Sequence, residues 1–274
     1  MASTPSIEVL GYSPKHSLPT EEEKLEKIHE PAVEATPSTF QKIVAELVGT
    51  YILMFAGCGA ALIDRERSLT IVGIAIVWGL ALMVIIYTVG HISGAHVNPA
   101  VTIAFAAARR FPLVQVPVYV LAQVIGAILA CLTLRALFND QGNIRPAVTQ
   151  YSSSTTDLQA IVWEFIITFI LMFTICGVAS DHRANNQFCG VAIGATVLFN
   201  VMVAGPITGA SMNPARSIGP AIVSGTYKNL WVFVVAPILG AMTAALVYFF
   251  LRLPEPDNSE ENTKGTRKEL YSEP

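Results

Sequence analysis

Apolar residues along this chain gather into eight runs separated by short polar stretches, and the runs come in two lengths. Six of them, near residues 41–63, 71–90, 114–138, 159–180, 188–205 and 229–251, match the roughly 20 residues that a helix needs to cross a bilayer. The other two, 98–108 and 213–223, hold eleven residues each and are too short to cross. Both short runs open on Asn-Pro-Ala. Pro suits the first turn of a helix, where its missing N–H would have no helical partner, and Asn just before it is a good N-cap. The pattern therefore predicts half-length helices starting at Asn98 and Asn213. Each would present free N–H groups and the positive end of a dipole.

The stretch leading into each half-helix occurs twice. Residues 90–100 read Gly-His-Ile-Ser-Gly-Ala-His-Val-Asn-Pro-Ala, and residues 205–215, an offset of 115, read Gly-Pro-Ile-Thr-Gly-Ala-Ser-Met-Asn-Pro-Ala. The likeness extends outward. Ala45-Glu46 followed by Thr50-Tyr51-Ile52-Leu53-Met54-Phe55 parallels Trp163-Glu164 followed by Thr168-Phe169-Ile170-Leu171-Met172-Phe173. Gly73-Ile74-Ala75-Ile76 parallels Gly190-Val191-Ala192-Ile193, and Ala122 and Gly126 parallel Ala236 and Gly240. The repeats cover about 40–140 and 157–251, with three crossings in each. An odd number makes the second half enter from the opposite face, so the halves form an inverted repeat whose two half-helix starts meet near the bilayer middle. Non-helical backbone at membrane depth is tolerated only inside protein or beside a water-filled cavity. The expected fold is thus an all-α membrane protein of six transmembrane helices and two re-entrant half-helices around a pore. Gly49, Gly57, Gly79, Gly126 and Gly240 are the small residues expected to let its helices pack closely.

Composition agrees with a lipid bilayer as the surroundings. The chain is 53% hydrophobic and only 14% charged, with a mean hydropathy of +0.53, whereas soluble domains carry about 25% charged residues. A formal net charge of −3 gives no case for nucleic-acid binding. Cys58, Cys131, Cys176 and Cys189 lie in or beside apolar runs without metal-ligand spacing, and no metal or cofactor is expected. No stretch has the shape of a cleaved signal peptide. Residues 1–39 and 253–274 are polar and proline-bearing, and are expected to be disordered tails. With the N-terminus inside, the inner segments hold eleven of the seventeen Lys and Arg residues, which orients both tails to the cytoplasm. The plasma membrane is the default location, with an intracellular membrane as the alternative.

Several polar groups fall where lipid or lumen would meet them. Asn98 and Asn213 are expected to aim their side-chain amides at the meeting point of the half-helices. There, amide N–H groups and two positive helix ends would orient a passing oxygen and oppose cations. Extended backbone leaves the carbonyls of Gly94, Ala95 and His96, and of Gly209, Ala210 and Ser211, in need of donors, and lining a polar path meets that need. Arg216 is a charge within a membrane segment, hence a functional candidate, either as a pore-mouth donor and cation barrier or as half of a structural ion pair. His96 is either a proton-sensitive gate or a structural group. Glu46 and Glu164, at equivalent places in the first and fourth crossings, are buried carboxylates that require donors.

Two Asn-Pro-Ala boxes (Asn98, Pro99, Ala100 and Asn213, Pro214, Ala215), each preceded by Ser/Thr-Gly-Ala and the second continuing into Arg216, resemble the aquaporin or major intrinsic protein family over about residues 40–252. The resemblance implies that Glu46 and Glu164 bond the box loops, and that a selectivity filter is formed by Trp78, Val201, Ala210 and Arg216. Trp and Val stand where a water-selective member would show Phe and His, making the ring apolar on one side and polar on the other. With Tyr87-Thr88-Val89-Gly90 and Arg109-Arg110-Phe111-Pro112, the filter resembles that of the plant nodulin-26-like water-and-glycerol class. Implied are a homotetramer with one pore per subunit and passive conduction of glycerol and water, with neutral metalloid hydroxides such as arsenite as secondary cargo. The alternatives are a water-selective channel or a boric or silicic acid channel. A secondary transporter would need paired midplane charges, and an enzyme a nucleophile–base pair or metal set.

Overall fold

The computed structural model describes residues 36–138, 144–184 and 186–253; the tails expected to be disordered lie outside that range except for their innermost residues. The described residues form helices and no strand. The helices are α1 (Thr39–Arg67), α2 (Thr70–Ser93), α3 (Pro99–Ala107), α4 (Val116–Leu137), α5 (Asp157–Ala179), α6 (Cys189–Thr208), α7 (Pro214–Ser224) and α8 (Val232–Leu251). Six candidate spans, all but α3 and α7, are long and apolar enough to cross a membrane. The half-helices α3 and α7 have 9 and 11 residues. The expected architecture is the observed one.

Local signals explain the boundaries. Ser38 and Thr156 cap α1 and α5 with the same device, each accepting from the N3 backbone while Gln41 or Gln159 reaches back, which satisfies two orphan donors at once. Helices α2 and α6 both stop at a left-handed glycine, Gly94 at φ +87° and Gly209 at φ +81°, a conformation that costs glycine nothing sterically. Helices α3 and α7 begin at Pro behind an Asn cap, as the sequence pattern predicts.

The halves interlock. Helix α1 packs along α4 and α5 along α8, while α3 lies against α8 and α7 against α4, so each half-helix is buried by the opposite half. Glycines allow the closest approaches. A Cβ on Gly126 would lie 2.4 Å from the Leu47 carbonyl oxygen, and one on Gly240 would lie 2.4 Å from that of Phe165. Gly79 and Gly194 face each other reciprocally, with a Cβ on either 2.6 Å from the other's carbonyl oxygen. That reciprocity corrects one expected equivalence. The α2–α6 pair keeps the 115-residue offset of the boxes, so the likeness of Gly73 to Gly190 does not mark equivalent positions. Gly49 and Gly57 let α2 close on α1 by admitting side chains, Ile85 with the loop residue Val97 at Gly49 and Trp78 at Gly57. Outward faces carry Leu80, Val84, Leu121, Val203, Leu239 and Leu246, all exposed, which suits contact with acyl chains.

Replacing Gly126 or Gly240 by Val forces backbones apart, and overpacking of this kind costs about 1–3 kcal/mol. Thermal unfolding of the purified protein in detergent is expected at lower temperature for both variants, while Gly90→Ala, where an added Cβ meets nothing within 4 Å, leaves it unchanged or higher.

Candidate pore and filter

The two box loops share an unusual backbone. Ala95 and Val97 have φ of +48° and +43°, and their equivalents Ala210 and Met212 have +44° and +53°. Such values cost a non-glycine residue about 1–2 kcal/mol, so each loop must be held. In the first, the Ala95 N–H donates to Ser93 Oγ (3.1 Å), the His96 N–H to Glu46 Oε1 (2.9 Å) and the Val97 N–H to Glu46 Oε2 (2.7 Å), while Ser93 Oγ itself donates to Oε1 (2.7 Å). In the second, the Ala210 N–H donates to Thr208 Oγ1 (3.2 Å), the Ser211 N–H to Glu164 Oε1 (3.0 Å) and the Met212 N–H to Glu164 Oε2 (2.9 Å), with Thr208 Oγ1 donating to Oε1 (2.6 Å). Both carboxylates are fully buried. Bonds to a charged acceptor contribute about 1.5–3 kcal/mol each, so three outweigh two strained residues.

This cradle decides where the carbonyls go. A trans peptide points its C=O opposite to the following N–H, and no peptide bond here is cis. Three consecutive N–H groups, one turned to a hydroxyl and two to the carboxylate behind it, therefore turn the carbonyls of Gly94, Ala95 and His96, and of Gly209, Ala210 and Ser211, the other way. None of these oxygens accepts a described hydrogen bond. Gly94, Ala95, His96, Ala210 and Ser211 line a cavity of about 1020 Å³; Gly209, expected among them, does not. Glu46 and Glu164 stay outside the cavity wall.

At the centre the boxes are tied to each other. Asn98 Oδ1 caps α3 by accepting from the Ala100 N–H (2.9 Å), and its Nδ2 donates to the Met212 carbonyl (2.9 Å). Asn213 Oδ1 accepts from the Ala215 N–H (2.9 Å), and its Nδ2 donates to the Val97 carbonyl (2.9 Å). A primary amide has two N–H donors. One of each pair is thus committed to the opposite loop, and one remains for the lumen that both residues line. Pro99, Ala100, Pro214 and Ala215 are buried behind the wall, as the first turns of the half-helices.

The lining of the cavity extends from one face past both boxes. At the face where the described chain begins and ends, it meets Arg110, Ser180 and Asn186. The Arg110 guanidinium donates to the Ser180 carbonyl (2.8 Å). Next in the chain, Asp181 accepts two bonds from the Arg183 guanidinium (3.0 and 2.6 Å) and one from its backbone N–H (3.0 Å), and the guanidinium holds its carboxyl well below the usual carboxylate range. Toward the opposite face the wall holds Trp78, Val201, Ala210 and Arg216 together. Arg216 donates to the Ala147 carbonyl (2.6 Å), and its guanidinium carbon lies 5.0 Å from the Trp78 ring centroid, a cation–π distance. No ion pair to Arg216 occurs among the described residues. Its charge is balanced by a carbonyl and a π-face, which favours the donor reading of this residue over the ion-pair one. His96 packs among Phe105, Phe111 and Tyr119 with Nδ1 3.1 Å from Thr102 Oγ1, a structural setting on the cavity wall.

Several participants escaped the sequence reading. Gln123 donates to Glu46 Oε2 (2.7 Å); a buried amide within the apolar run 114–138 was its signal. Thr149 donates to Ser217 Oγ (2.8 Å), which lies 2.7 Å from Ser211 Oγ, bolting the second loop to the 3₁₀ turn Arg145–Ala147 and the segment after it. The Ala147 carbonyl has no sequence signature.

The profile of the Major intrinsic protein family matches residues 34–248. Nodulin-26 of Glycine max is 56% identical over 225 residues, covering 80% of this chain and 81% of its own. Aquaporin NIP1-1 of Oryza sativa subsp. japonica is 53% identical over 228 residues, covering 82% and 79%. Among solved structures, the aquaglyceroporin from Plasmodium falciparum superposes with a TM-score of 0.68 at 28% identity, covering 77% of this chain and 96% of its own.

Removing the carboxylate of the second loop tests the cradle. Glu164→Leu leaves the Ser211 and Met212 N–H groups without their acceptor, at about 1–3 kcal/mol for each unsatisfied donor, while the Thr208 hydroxyl keeps the Ala204 carbonyl. Osmotic water flux per reconstituted protein is expected to fall to that of empty liposomes, with less folded protein recovered.

Proposed function

The chain belongs to the major intrinsic protein family, and from that premise we propose that it is a passive transmembrane channel for water and glycerol-like neutral solutes. The observation that carries the solute reading is the two-sided ring on the cavity wall. Trp78 and Val201 present apolar surface, while Arg216 and the loop carbonyls present donors and acceptors. A polyol has a carbon edge and a hydroxyl edge, and such a ring receives both at once. Water needs only the polar side. Arsenite and other uncharged hydroxides share that hydroxyl character and are secondary cargo.

Permeation needs no covalent step. A solute oxygen accepts from Arg216 at the filter and from the free N–H of Asn98 or Asn213 at the centre, while its own hydroxyl hydrogens meet the carbonyls of Gly94, Ala95, His96, Ala210 and Ser211. Replacing hydration contacts one by one keeps the barrier low for a neutral solute. A cation meets the Arg216 charge and the positive ends of α3 and α7. A water at the centre has its oxygen fixed by donors, so the file reverses orientation there and proton hopping stops.

The assembly is a homotetramer with one pore per subunit, as the family resemblance implies. The Lys and Arg bias places both termini in the cytoplasm, so the Arg110–Ser180 mouth opens inward and the Trp78–Arg216 ring faces outward. The plasma membrane is the default location.

The test is stopped-flow light scattering on proteoliposomes under sucrose and then glycerol gradients. Glycerol permeability is expected well above that of empty liposomes. Val201→His, which puts a polar ring on the apolar side, is expected to lower it severalfold while sparing water. Fast water flux with no glycerol flux in the wild type would overturn the polyol reading.

A further inference from the structure

The filter's largest side chain rests on a residue that never touches the lumen. Gly57 lies inside α1 and is absent from the cavity wall. A Cβ built on it would fall 2.2 Å from Trp78 Cε2, 2.3 Å from Cδ2 and 2.4 Å from Cζ2. The indole thus lies against bare helix backbone, while the Arg216 guanidinium carbon stands 5.0 Å from its ring centroid. Carbon atoms in contact prefer about 3.5–4.0 Å, so any side chain at position 57 must displace the ring by more than about 1 Å. Backbone closes the way behind it, and the cavity is where space remains.

The repeat shows what this pairing replaces. By the offset of 118 that relates α1 to α5, Gly57 corresponds to Ile175, and by the offset of 115 that relates α2 to α6, Trp78 corresponds to Ile193. Both isoleucines line the cavity in their own right. Where the second half uses two medium side chains, the first uses an indole over no side chain. Gly is also a weaker choice than Ala for a helix interior, and the nearest atoms a Cβ at position 57 would meet all belong to the Trp78 ring of α2 rather than to the backbone of a neighbouring helix. The space for Trp78 is what remains to explain it.

We propose that Gly57 is a specificity-determining residue, setting how far Trp78 stands out from the wall and hence the width left between Trp78 and Arg216. It acts through Trp78 and is a positioning residue. The proposal rests on the filter reading above and extends it to a side chain outside the pore.

The test compares wild type, Gly57→Ala, Trp78→Phe and the double variant Gly57→Ala/Trp78→Phe, full-length, in proteoliposomes, with water and glycerol permeabilities normalised to reconstituted protein. Gly57→Ala is expected to lower glycerol permeability about tenfold, equivalent to a barrier higher by about 1.4 kcal/mol, and water permeability by less. In the double variant the smaller phenyl ring leaves room for the methyl group, and glycerol permeability is expected to return to the Trp78→Phe level. An unchanged glycerol-to-water ratio in Gly57→Ala overturns the proposal, as does an equal loss of both that Trp78→Phe does not restore, since that is a packing defect alone. Should Gly57→Ala fail to fold, recovery of folded protein in the double variant supports the contact, and its failure overturns it. A wild type that passes water but no glycerol sinks the polyol reading and leaves this inference to be judged on water, where the same loss and rescue are expected.

Discussion

A carboxylate buried in lipid-embedded protein, accepting from consecutive backbone N–H groups, is the interaction on which the rest of this molecule depends. Polar lining made of main chain cannot also be bonded within a helix, so something else must hold that chain in shape. Glu46 and Glu164 do so from outside the lumen, and the helix packing serves them. Helices α1 and α4 approach closely at Gly126 against Leu47, and α5 and α8 at Gly240 against Phe165. Both contacts lie one residue past a glutamate. Glycines at those crossings seal each carboxylate from the bilayer, where an unpaired charge would be costly.

On this frame, the two halves depart from symmetry in what they place on the cavity wall. The inverted repeat alone would build a tube alike at both ends. Counting by the box offset, Arg216 corresponds to Val101, and both line the cavity. The position that carries a positive charge in the second half therefore carries a methyl surface in the first. Gln123 reinforces Glu46, while its counterpart is Pro237, which has no donor to offer. The second loop is braced instead from the side, by the hydroxyls of Ser211, Ser217 and Thr149. The loops share a shape and differ in what steadies it.

How much of this is legible in the sequence follows from the range of each signal. Caps, proline starts and apolar run lengths are local, and they located the helices, half-helices and boxes. Glu46 and Glu164 are legible because a carboxylate in an apolar run has few uses. The division of each Asn amide between the opposite loop and the lumen is not, since it depends on a carbonyl more than a hundred residues away. The Ala147 carbonyl is invisible because every residue has one. Gly57 reads as a generic small residue of a membrane helix until Trp78 is seen above it. The likeness of Gly73 to Gly190 misleads because short apolar strings match by chance, and only the reciprocal contact of Gly79 and Gly194 fixes the register.

The crossed amide bonds bear on how the chain is made. Asn98 donates to a carbonyl 114 residues ahead of it, and Val97 accepts from an amide 116 residues ahead. When the first three crossings have been synthesised, the strained loop at Val97 has its carboxylate but not its central tie. Translation proceeds at about 5–20 residues per second, so the half-made pore waits on the order of ten seconds for its counterpart. During that interval α3 has no α8 to lie against, and α4 has no α7. The first half is therefore a nascent chain with an unfinished polar seam, and the last loop to arrive completes both halves at once.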